Sequence, residues 1–485
     1  MNIPHPELQP ATGAALLAAI RMPSDRLSVA ANGVLEIDGH AVSALVERFG
    51  SPLQVAVEPT LRDNYRRIRQ AFATRWEAGV NVMYSIKCNN NFAIRAILSA
   101  EGAGGDCFGL SELYASLAGG ADPQLLVMNG SNKSREEVAT AIALGITINI
   151  DAVDEIAFVE EASRRTGKRA RVNLRLKIAP EDLEGHLAPA YRTPEGAAAG
   201  VRRTKWGFTP EAAAPLVTSL ASMPGVELRG YSAHIGHLST QPEAFASVAR
   251  EFGAAVVALE RATGFTPAVL DIGGGWAQMR EPSAREFAVN AVTIETYAEA
   301  STAALRAALG ARENPPELWL EPGRYITSNA QMLLAAVGSI KRDAGFTWLH
   351  VDASTNDLQR IESGRHWYQL LPATRMSAPF AEATEIVGGT CFKSVIGTQR
   401  RMPILQRGDL IAVLDTGMYA EVFSNQFNGL PRPATVLVGP GGAELIRRRE
   451  AISDVFATQI VPPRLADIAP AHASGAAFLA EMRGR

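Results

Sequence analysis

The stretch Val82–Asn90, VMYSIKCNN, begins as a partly alternating apolar run and ends on a lysine followed by small and polar residues. Such a run predicts a buried strand, and a helical pattern over Phe92–Ala100 follows it. Lys87 therefore lies where a strand gives way to a loop. An amine in this position either extends its aliphatic stem toward solvent or is paired with a group that the rest of the chain supplies.

Seven further strand-like runs follow, with helical stretches between them. The eight runs lie near residues 80–87, 104–108, 124–129, 147–151, 170–177, 227–235, 268–273 and 317–322. Eight strands that alternate with helices predict a (β/α)8 TIM-like barrel, an α/β fold. After about residue 331 the runs become short and are separated by turns, which predicts a second, mostly β, C-terminal domain.

The predicted organisation has five segments. They are an N-terminal extension (1–27), a short segment (28–53), the barrel (54–330), the C-terminal β domain (331–468) and a tail (469–485). Within the barrel, about thirty residues connect the strand ending at Lys177 to the helix starting near Pro210, and loops of this length are usually functional or mobile. The sequence defines no role for the extension or for residues 183–203 of this loop.

Composition restricts the class of protein. The 485-residue chain is 47% apolar and 20% charged, with a formal net charge of −3, so we expect a globular protein whose main partner is neither nucleic acid nor a membrane. No apolar run is as long as a membrane span, and the N-terminus lacks a signal-peptide pattern. Cys88, Cys107 and Cys391 are widely spaced and predict neither a disulfide framework nor a metal site. The predicted location is the cytoplasm.

Polar residues and glycines recur at the predicted C-terminal ends of six of the eight strands. They are Lys87, Asp106, Arg175, His234, Asp271 with Gly273–Gly275, and Glu321 with Gly323 and Arg324. In a (β/α)8 barrel these strand ends meet at one face, which carries the active site. One such residue would be uninformative, but six in order predict a single site.

The chemistry of these residues suggests pyridoxal phosphate. Gly273–Gly275 would let backbone N–H groups approach a phosphate, although three glycines alone equally fit a plain turn, and Arg324 would grip the same phosphate. Lys87 would form the Schiff base and Glu321 would keep the pyridine nitrogen protonated. His234 is either a hydrogen-bonded core histidine or a ring stacked on the cofactor.

The chain resembles the fold-type III, or alanine racemase-like, pyridoxal-phosphate decarboxylases, the group of diaminopimelate and eukaryotic-type ornithine decarboxylases. The matching motifs occur in family order across roughly residues 28–460: Tyr84–Asn89, Gly105–Cys107, Ser111–Leu113, His234–Gly236, Gly273–Gly275, Glu321–Arg324, Cys391, Gly408–Asp409, Asp415–Tyr419 and Pro431–Pro433. The resemblance implies a barrel followed by a β domain that the stretch 33–53 joins. It also implies a head-to-tail homodimer with active sites at the interface.

The resemblance also assigns roles. Lys87 carries the Schiff base, Glu321 meets the pyridine nitrogen, and Cys391 of the partner subunit protonates the carbanion left after CO2 departs. The implied catalytic residues are Lys87, Cys391 and His234, and His234 stacks on the ring. The phosphate is held by Gly273–Gly275, Arg324 and Tyr419. The implied cofactor-binding residues are in full Lys87, Asp106, Arg175, His234, Gly273, Gly274, Gly275, Glu321, Gly323, Arg324 and Tyr419. The implied substrate-binding residues are Arg324, Arg360, Phe392 and Tyr419, and no metal is implied.

The chain departs from this family where the substrate is chosen. In diaminopimelate decarboxylases the proton-donor cysteine is followed by Glu-Ser, whereas here Phe392, Lys393 and Ser394 follow Cys391. The family's substrate-reading tyrosine aligns with Gly364, and the serine after His-Ile-Gly is His237. A distal ammonium needs an anionic partner, so we do not expect diaminopimelate as the substrate.

Other amino-acid substrates remain open. Lysine or ornithine would require Glu362 or another carboxylate as a substitute. An amino-acid conjugate, such as a citryl-amino acid, or a carrier-bound aminoacyl group fits better. Lys393 and His237 would then meet an anionic part of the substrate, unless Lys393 is simply a solvated loop residue.

Three functions are compatible with these motifs. A pyridoxal-phosphate decarboxylase is favoured because Cys391 is retained. A racemase or epimerase needs a second acid/base besides Lys87, and the tyrosine motif that supplies it in alanine racemases is not found. A non-catalytic relative would be expected to lose the cofactor-binding residues, which this chain keeps.

Overall fold

The computed structural model describes residues 10–183, 194–234, 240–280, 290–363 and 366–466, with 475, 478–479 and 481–482 of the tail. His237 and Gly364 lie outside the described residues, as do 1–9, most of the 183–203 loop and most of the tail. The chain forms two compact units. The first lies within Glu58–Glu281 and Ala288–Ser328, and the second within Pro4–Val57 and Asn329–Arg485.

The second unit takes its first elements from the N-terminal part of the chain. They are α1 (Gly13–Ile20), β1 (Leu27–Val29), β2 (Leu35–Ile37), β3 (His40–Ala41), α2 (Val42–Phe49) and β4 (Leu53–Val57). Thr12 begins α1 by accepting a hydrogen bond from Ala15 N through its Oγ1 (3.1 Å), which satisfies an amide that the first helical turn leaves open. Strands β1–β3 form a small antiparallel sheet, whereas β4 is fully buried.

The first unit is a closed barrel of eight parallel strands, and the predicted TIM-like barrel is confirmed. The strands are β5 (Val80–Ser85), β6 (Gly104–Phe108), β7 (Leu126–Asn129), β8 (Thr147–Ile150), β9 (Ala170–Leu176), β10 (Val226–Ala233), β11 (Val269–Asp271) and β12 (Glu317–Leu320). Each strand pairs with the next along the chain, and β12 pairs with β5 to close the ring. Closure brings all eight C-terminal ends to one face.

Helices alternate with these strands. They are α3 (Glu58–Ala73), α4 (Phe92–Ala100), α5 (Gly109–Ala118), α6 (Arg135–Leu144), α7 (Asp154–Thr166), α8 (Ala197–Arg202), α9 (Pro210–Ser222), α10 (Pro242–Thr263), α11 (Ile294–Leu309) and α12 (Arg324–Thr327). Helix α11 begins after Thr293, whose Oγ1 accepts a hydrogen bond from Thr296 N (3.4 Å).

The barrel interior changes from apolar to polar along the strands. Met83, Val127, Val269 and Trp319 form a buried apolar cluster, and the residues two positions later are Ser85, Asn129, Asp271 and Glu321. Because side chains two residues apart on a strand point to the same face, these four polar residues lie above the apolar layer, at the C-terminal side. The strand pattern thus provides both a packed base and a polar floor for a site.

The C-terminal part of the chain completes the second unit as a mostly β structure, which confirms the predicted fold class. Its elements are β13 (Gln331–Asp343), β14 (Phe346–Val351), β15 (Leu370–Leu371), β16 (Glu382–Val387), β17 (Val395–Met402), β18 (Leu410–Val413), β19 (Ala434–Gly439), β20 (Gly442–Arg447), α13 (Ile452–Val455) and α14 (Pro463–Ala466). The main sheet runs in the order β17-β16-β14-β13-β4-β19-β20, so β4 is an interior strand between β13 and β19. None of the helices in the described part of the chain is long and apolar enough to cross a membrane.

Candidate active site

Lys87 lies at the polar end of the barrel, in a short 3-10 turn, Ile86–Cys88, that follows β5. The strand itself ends at Ser85, two residues earlier than predicted. The Lys87 Nζ forms an ion pair with the carboxylate of Asp106 and a 3.1 Å hydrogen bond to Ser85 Oγ, and the ring of Phe108 lies 4.6 Å from it. The lysine at the strand end is therefore paired, yet its side chain remains 31% exposed.

Asp106 is fully buried and accepts hydrogen bonds on both oxygens. Ser85 Oγ donates to Oδ2 at 2.6 Å, beside Lys87, and Asn129 Nδ2 donates to Oδ1 at 2.7 Å. A buried carboxylate is stable as an anion only when it is paired and hydrogen-bonded, and Asp106 meets both conditions. It holds the Lys87 amine at a fixed place above the barrel floor.

Glu321, which directly follows β12, is the second carboxylate of the site. Its Oε1 accepts a hydrogen bond from Asn129 Nδ2, the same nitrogen that binds Asp106. Burial, with the charges of Asp106 and Asp271, raises the pKa of Glu321 well above its usual range, and burial raises the pKa of Asp271 to about 7. Three carboxylates in one buried space repel each other's charge, so a cationic group near Glu321 would be strongly favoured.

His234 connects Glu321 to the glycine run. Its Nδ1 accepts a hydrogen bond from Gly274 N at 3.2 Å and lies 3.8 Å from Glu321 Oε2. The shorter contact requires a lone pair on Nδ1, so the neutral ring carries its proton on Nε2. The backbone of the glycine run thereby fixes the tautomer of the histidine.

Gly273–Gly275 form a close turn that only glycine can occupy. A Cβ on Gly273 would lie 2.3 Å from His234 Nδ1, and one on Gly274 would lie 2.1 Å from Glu321 O. Gly273 and Gly275 also have positive φ angles of +70° and +104°, which L-residues rarely adopt. Gly273 N donates to Asp271 Oδ1 (2.8 Å), and Gly275 N has no partner among the described residues.

These residues fit pyridoxal phosphate. The backbone at Gly273 and Gly274 packs so closely against His234 and Glu321 that no side chain fits there, and the Gly275 N–H, which has no partner among the described residues, could donate to an anion. The amine of Lys87 is partly exposed, and the raised pKa of Glu321 makes its carboxylate a good partner for a protonated ring nitrogen. An amine for covalent attachment, a backbone cradle and a buried carboxylate are the three groups that this cofactor requires.

Arg175, Gly323 and Arg324 lie on the same face of the barrel. Arg175 is buried, with its Nε 4.0 Å from Asp151 Oδ1 and its guanidinium 5.9 Å from the Trp206 ring. Arg324 is a buried residue that begins α12, directly after Gly323. A Cβ on Gly323 would lie 2.7 Å from the Cβ of Cys88, so this glycine lets α12 approach the turn that carries Lys87.

The remaining candidate residues lie in the second unit. Cys391, Phe392 and Lys393 are exposed, and the side chain of Phe392 is 57% exposed. Asn428 Oδ1 accepts from Cys391 N (3.0 Å), and the buried Ser394 ends the run, where its Oγ accepts from Thr355 N (3.1 Å). The run is thus anchored at both ends and presents its middle side chains outward.

Arg360 and Tyr419 contact each other in this unit. The Arg360 guanidinium lies 4.8 Å from the Tyr419 ring and 5.8 Å from that of Phe423, a cation–π arrangement. Tyr419 has a positive φ of +57°, which is unusual for a bulky residue and costs backbone strain.

The three thiols have different surroundings. Cys88 and Cys107 are buried and Cys391 is exposed. Burial raises the pKa of Cys107 to about 12, so this thiol has no use as an acid near neutral pH. Among the thiols, only Cys391 is accessible to a substrate.

The sequence analysis missed Asn129, Asn149 and Asn173, which join the site through side-chain hydrogen bonds. Asn149 Nδ2 donates to Asn129 Oδ1 (2.8 Å), and Asn173 Nδ2 donates to Asn149 Oδ1 (3.0 Å). Asn129 ends β7 and Asn149 lies near the end of β8. The search for polar residues at the C-terminal ends of the strands, which was applied to the other six strands, would therefore have found Asn129 and Asn149.

Comparison with protein families gives one match of wide coverage. The family described as pyridoxal-dependent decarboxylase, pyridoxal binding domain, matches residues 59–328. This range contains every barrel residue of the site and more than half of the chain.

Comparison with individual proteins agrees with this match. A diaminopimelate decarboxylase of Methanothermobacter thermautotrophicus is 30% identical over 89% of this chain and 97% of its own length, and one of Archaeoglobus fulgidus is 28% identical over 89% and 98%. The crystal structure of the Methanocaldococcus jannaschii diaminopimelate decarboxylase superposes with a TM-score of 0.83 at 29% identity, covering 91% of this chain and 99% of that one.

Proposed function

Because this chain belongs to the family of pyridoxal-dependent decarboxylases, we propose that it removes the α-carboxylate of an amino acid, or of an amino-acid conjugate, other than diaminopimelate. Its cofactor is pyridoxal 5′-phosphate and it is a carboxy-lyase. The observation that carries the substrate proposal is the run Cys391–Ser394, where an exposed aromatic ring and an exposed cation follow the cysteine.

Lys87 is the proposed attachment point for the cofactor. Its Nζ is held by Asp106 and Ser85, two acceptors that fix the position of the amine. Before it attacks a carbonyl carbon, the ammonium must lose a proton, and Asp106 is the group in contact that stabilises the charged form until then. When bound, pyridoxal phosphate supplies a ring that accepts the electron pair released as CO2 leaves.

The remaining barrel residues are proposed to hold the cofactor. Gly273–Gly275, with Arg324 and Tyr419, would bind the phosphate. Glu321 would hold the ring nitrogen in its protonated form through charge, and His234 would cover one face of the ring. Asp106, Arg175 and Gly323 complete the proposed cofactor-binding set.

Cys391 is the proposed proton donor to the substrate Cα. It is the exposed thiol, whereas Cys88 and Cys107 are buried. In the family that the chain resembles, this cysteine serves the site of the neighbouring subunit. We therefore propose a homodimer in which Cys391 of the partner subunit completes each site.

The substrate is proposed to lack a distal ammonium. Relatives of this chain are named diaminopimelate decarboxylases, and one related structure contains L-lysine. An ammonium in such a position needs a carboxylate, but Phe392 and Lys393 occupy the positions after Cys391. Phe392 favours an apolar group and Lys393 an anionic group, with Arg360 and Arg324 also on the proposed substrate side.

A substrate panel tests this proposal. Purified enzyme with pyridoxal phosphate is incubated with meso-diaminopimelate, lysine, ornithine, arginine and N-acylated or citryl-conjugated amino acids, and CO2 is measured. We expect the highest kcat/KM for a substrate without a free distal ammonium. A highest value for meso-diaminopimelate would refute the substrate proposal, and exchange of the Cα hydrogen without CO2 would refute decarboxylation.

A further inference from the structure

Three asparagines from adjacent strands form a continuous hydrogen-bonded row inside the barrel. Asn149 on β8 and Asn173 on β9 are direct register partners, and Asn129 follows the last paired residue of β7 beside β8. All three are buried, with at most 3% exposure. The row runs from Asn173 through Asn149 to Asn129 and ends on the carboxylates of Asp106 and Glu321.

The carboxylates fix the direction of the whole row. Asp106 is ion-paired with Lys87, and an ionised carboxylate only accepts hydrogen bonds, so Asn129 must turn its Nδ2 toward Asp106 and its Oδ1 toward Asn149. Asn149 must then present its Nδ2 to Asn129, and Asn173 its Nδ2 to Asn149. The remaining Asn173 Oδ1 is buried and has no hydrogen-bond partner among the described residues, as expected for the open end of a one-way chain.

Every amide dipole in the row has its positive end toward the carboxylates. Hydrogen bonds arranged head to tail polarise one another and are stronger than isolated ones. The two N–H groups of Asn129 are both used, one for each carboxylate. Rotation of Asn129 would point its oxygen at the ion-paired carboxylate of Asp106 and is excluded by charge. Asn149 donates to the Oδ1 of Asn129 and so holds the side chain in place in this orientation.

The charged groups around Glu321 make its hydrogen bond with Asn129 important. Asp106 from β6 and Asp271 from β11 raise its pKa, while Lys87 after β5 and Arg175 on β9 lower it, and His234 after β10 lies 3.8 Å from Oε2. Asn129 occupies Oε1. The carboxyl group of Asp271 also forms a side-chain hydrogen bond with Glu321, and Oε2 is the oxygen that Asn129 leaves uncovered for a proton or for a cationic partner.

We propose that Asn129 is a positioning residue, held in place by Asn149 and Asn173, that bridges Asp106 and Glu321 and leaves Glu321 Oε2 for the ring nitrogen of the cofactor. The last clause rests on the proposed function, in which Glu321 faces that nitrogen. The orientation of Asn129 and its effect on Glu321 do not depend on that function.

The test removes the support of Asn129 without touching the carboxylates. Asn149→Leu interrupts the row at its centre, and Thr147→Val is the matched control. Thr147 lies on the same strand two residues away, is buried, and its hydroxyl has no hydrogen-bond partner in the described part of the chain. Thr147→Val thus removes a buried polar atom of the barrel without breaking the row.

The first readout uses the cofactor-free protein. The protonated carboxyl band of Glu321 is followed by infrared difference spectroscopy against pH and assigned by its loss in Glu321→Gln. Because a hydrogen bond donated to the carboxylate stabilises the charged form, we expect Asn149→Leu to raise the midpoint by about one pH unit, with no change in Thr147→Val. Equal shifts in both variants, or none in either, would overturn the proposal.

The second readout is the affinity for pyridoxal phosphate. We expect the dissociation constant to rise by about tenfold in Asn149→Leu and to recover in Asn149→Gln, which restores the amide. If Asn149→Leu does not fold, Asn173→Leu at the open end of the row replaces it, with a smaller shift in the same direction. A wild-type protein that binds no pyridoxal phosphate would refute the proposed function alone, because the infrared titration still decides the role of the row.

Discussion

The barrel floor and the run Cys391–Ser394 carry the two halves of the proposed chemistry, and they are built in opposite ways. On the floor, Asp106 is fully buried and each of its oxygens is hydrogen-bonded. In the run, Phe392 is 57% exposed, and the fixed points are the Cys391 backbone and the Ser394 side chain. The residues proposed for the cofactor are held on all sides, whereas those proposed to select the substrate are held only at the ends of their loop.

The difference teaches how such a site can change its substrate. A substitution on the floor breaks several buried hydrogen bonds at once, and each leaves an unpaired polar group. A substitution at Phe392 or Lys393 alters an exposed side chain, and such changes usually have little effect on stability. The chemistry of the cofactor and the choice of substrate can therefore vary independently.

Among substitutions on the barrel floor, we expect replacement of Lys87 to reduce activity most. We expect Lys87→Ala to reduce CO2 release by roughly a thousandfold or more, because the attachment point of the cofactor is lost. Borohydride should fix the cofactor on the wild-type protein and not on the variant, as measured by mass spectrometry of the intact chain. Lys341→Ala, on an exposed residue of the second unit, is the control. Borohydride labelling that persists in Lys87→Ala would contradict the assignment.

Replacement of Cys391 tests the role of the run Cys391–Ser394. We expect Cys391→Ala to reduce kcat by about 10²- to 10⁴-fold, the range typical for a lost general acid, with the visible spectrum of the bound cofactor unchanged. Cys107→Ala is the matched control, since this buried thiol should affect stability by about 1 kcal/mol and leave kcat unchanged. A Cys391→Ala enzyme with full activity would exclude the thiol as the proton donor.

Exchange of the aromatic ring at 392 sharpens the comparison further. Phe392→Glu would place a carboxylate beside Cys391, and we expect kcat/KM for meso-diaminopimelate, relative to the best panel substrate, to rise about tenfold through a new charge pair. Phe392→Gln has the same length without the charge and should not show this rise. An equal response of both variants would mean that shape, and not charge, selects the substrate at this position.

The smallest expected effect is on the pH dependence of stability, through the buried carboxyl group of Glu112 near the barrel floor. Burial raises the pKa of Glu112, which accepts a hydrogen bond from Phe108 N (2.7 Å), to about 7. The folded protein therefore binds the proton more tightly than the unfolded chain, and Glu112 lowers stability as pH rises from about 4.3 to 7.

For Glu112→Gln we accordingly expect a free energy of unfolding that falls less over this interval than in the wild type, by an amount on the order of 1 kcal/mol. Urea unfolding at several pH values measures it, with the exposed Glu136→Gln as the control. A wild-type pH slope in Glu112→Gln would show that this carboxyl is not responsible.

Much of the fold followed from the sequence because its signals are local. The eight barrel strands were found from apolar runs bounded by turn residues, and both ends of each observed strand lie within two residues of the prediction. Helix α3 was not among the predicted elements, although Leu61, Tyr65, Ile68 and Phe72 form its buried face. Six of its sixteen residues are charged, and they obscure the helical spacing of the apolar ones.

The part of the site that could not be predicted depends on closure of the barrel. Asn129 binds both Asp106 and Glu321, but Glu321 follows β12, which is separated from β7 by β5 and β6. Contact across the lumen depends on strand tilt and stagger, which single-strand patterns do not encode. Asn173 lies inside a strand and not at its end, so the strand-end rule could not have identified it.

The position of β4 has a consequence for the synthesis of the protein. This strand, Leu53–Val57, lies between β13 and β19 in the sheet and is fully buried, yet β19 emerges from the ribosome about 380 residues later. At 5–20 residues per second the wait is roughly 20 to 80 s, during which the barrel can fold and β13 can pair with β4, while the edge of β4 that faces β19 has no partner. Holdase chaperones should therefore bind nascent chains that end before Ala434 through β4, and release them once β19 has emerged.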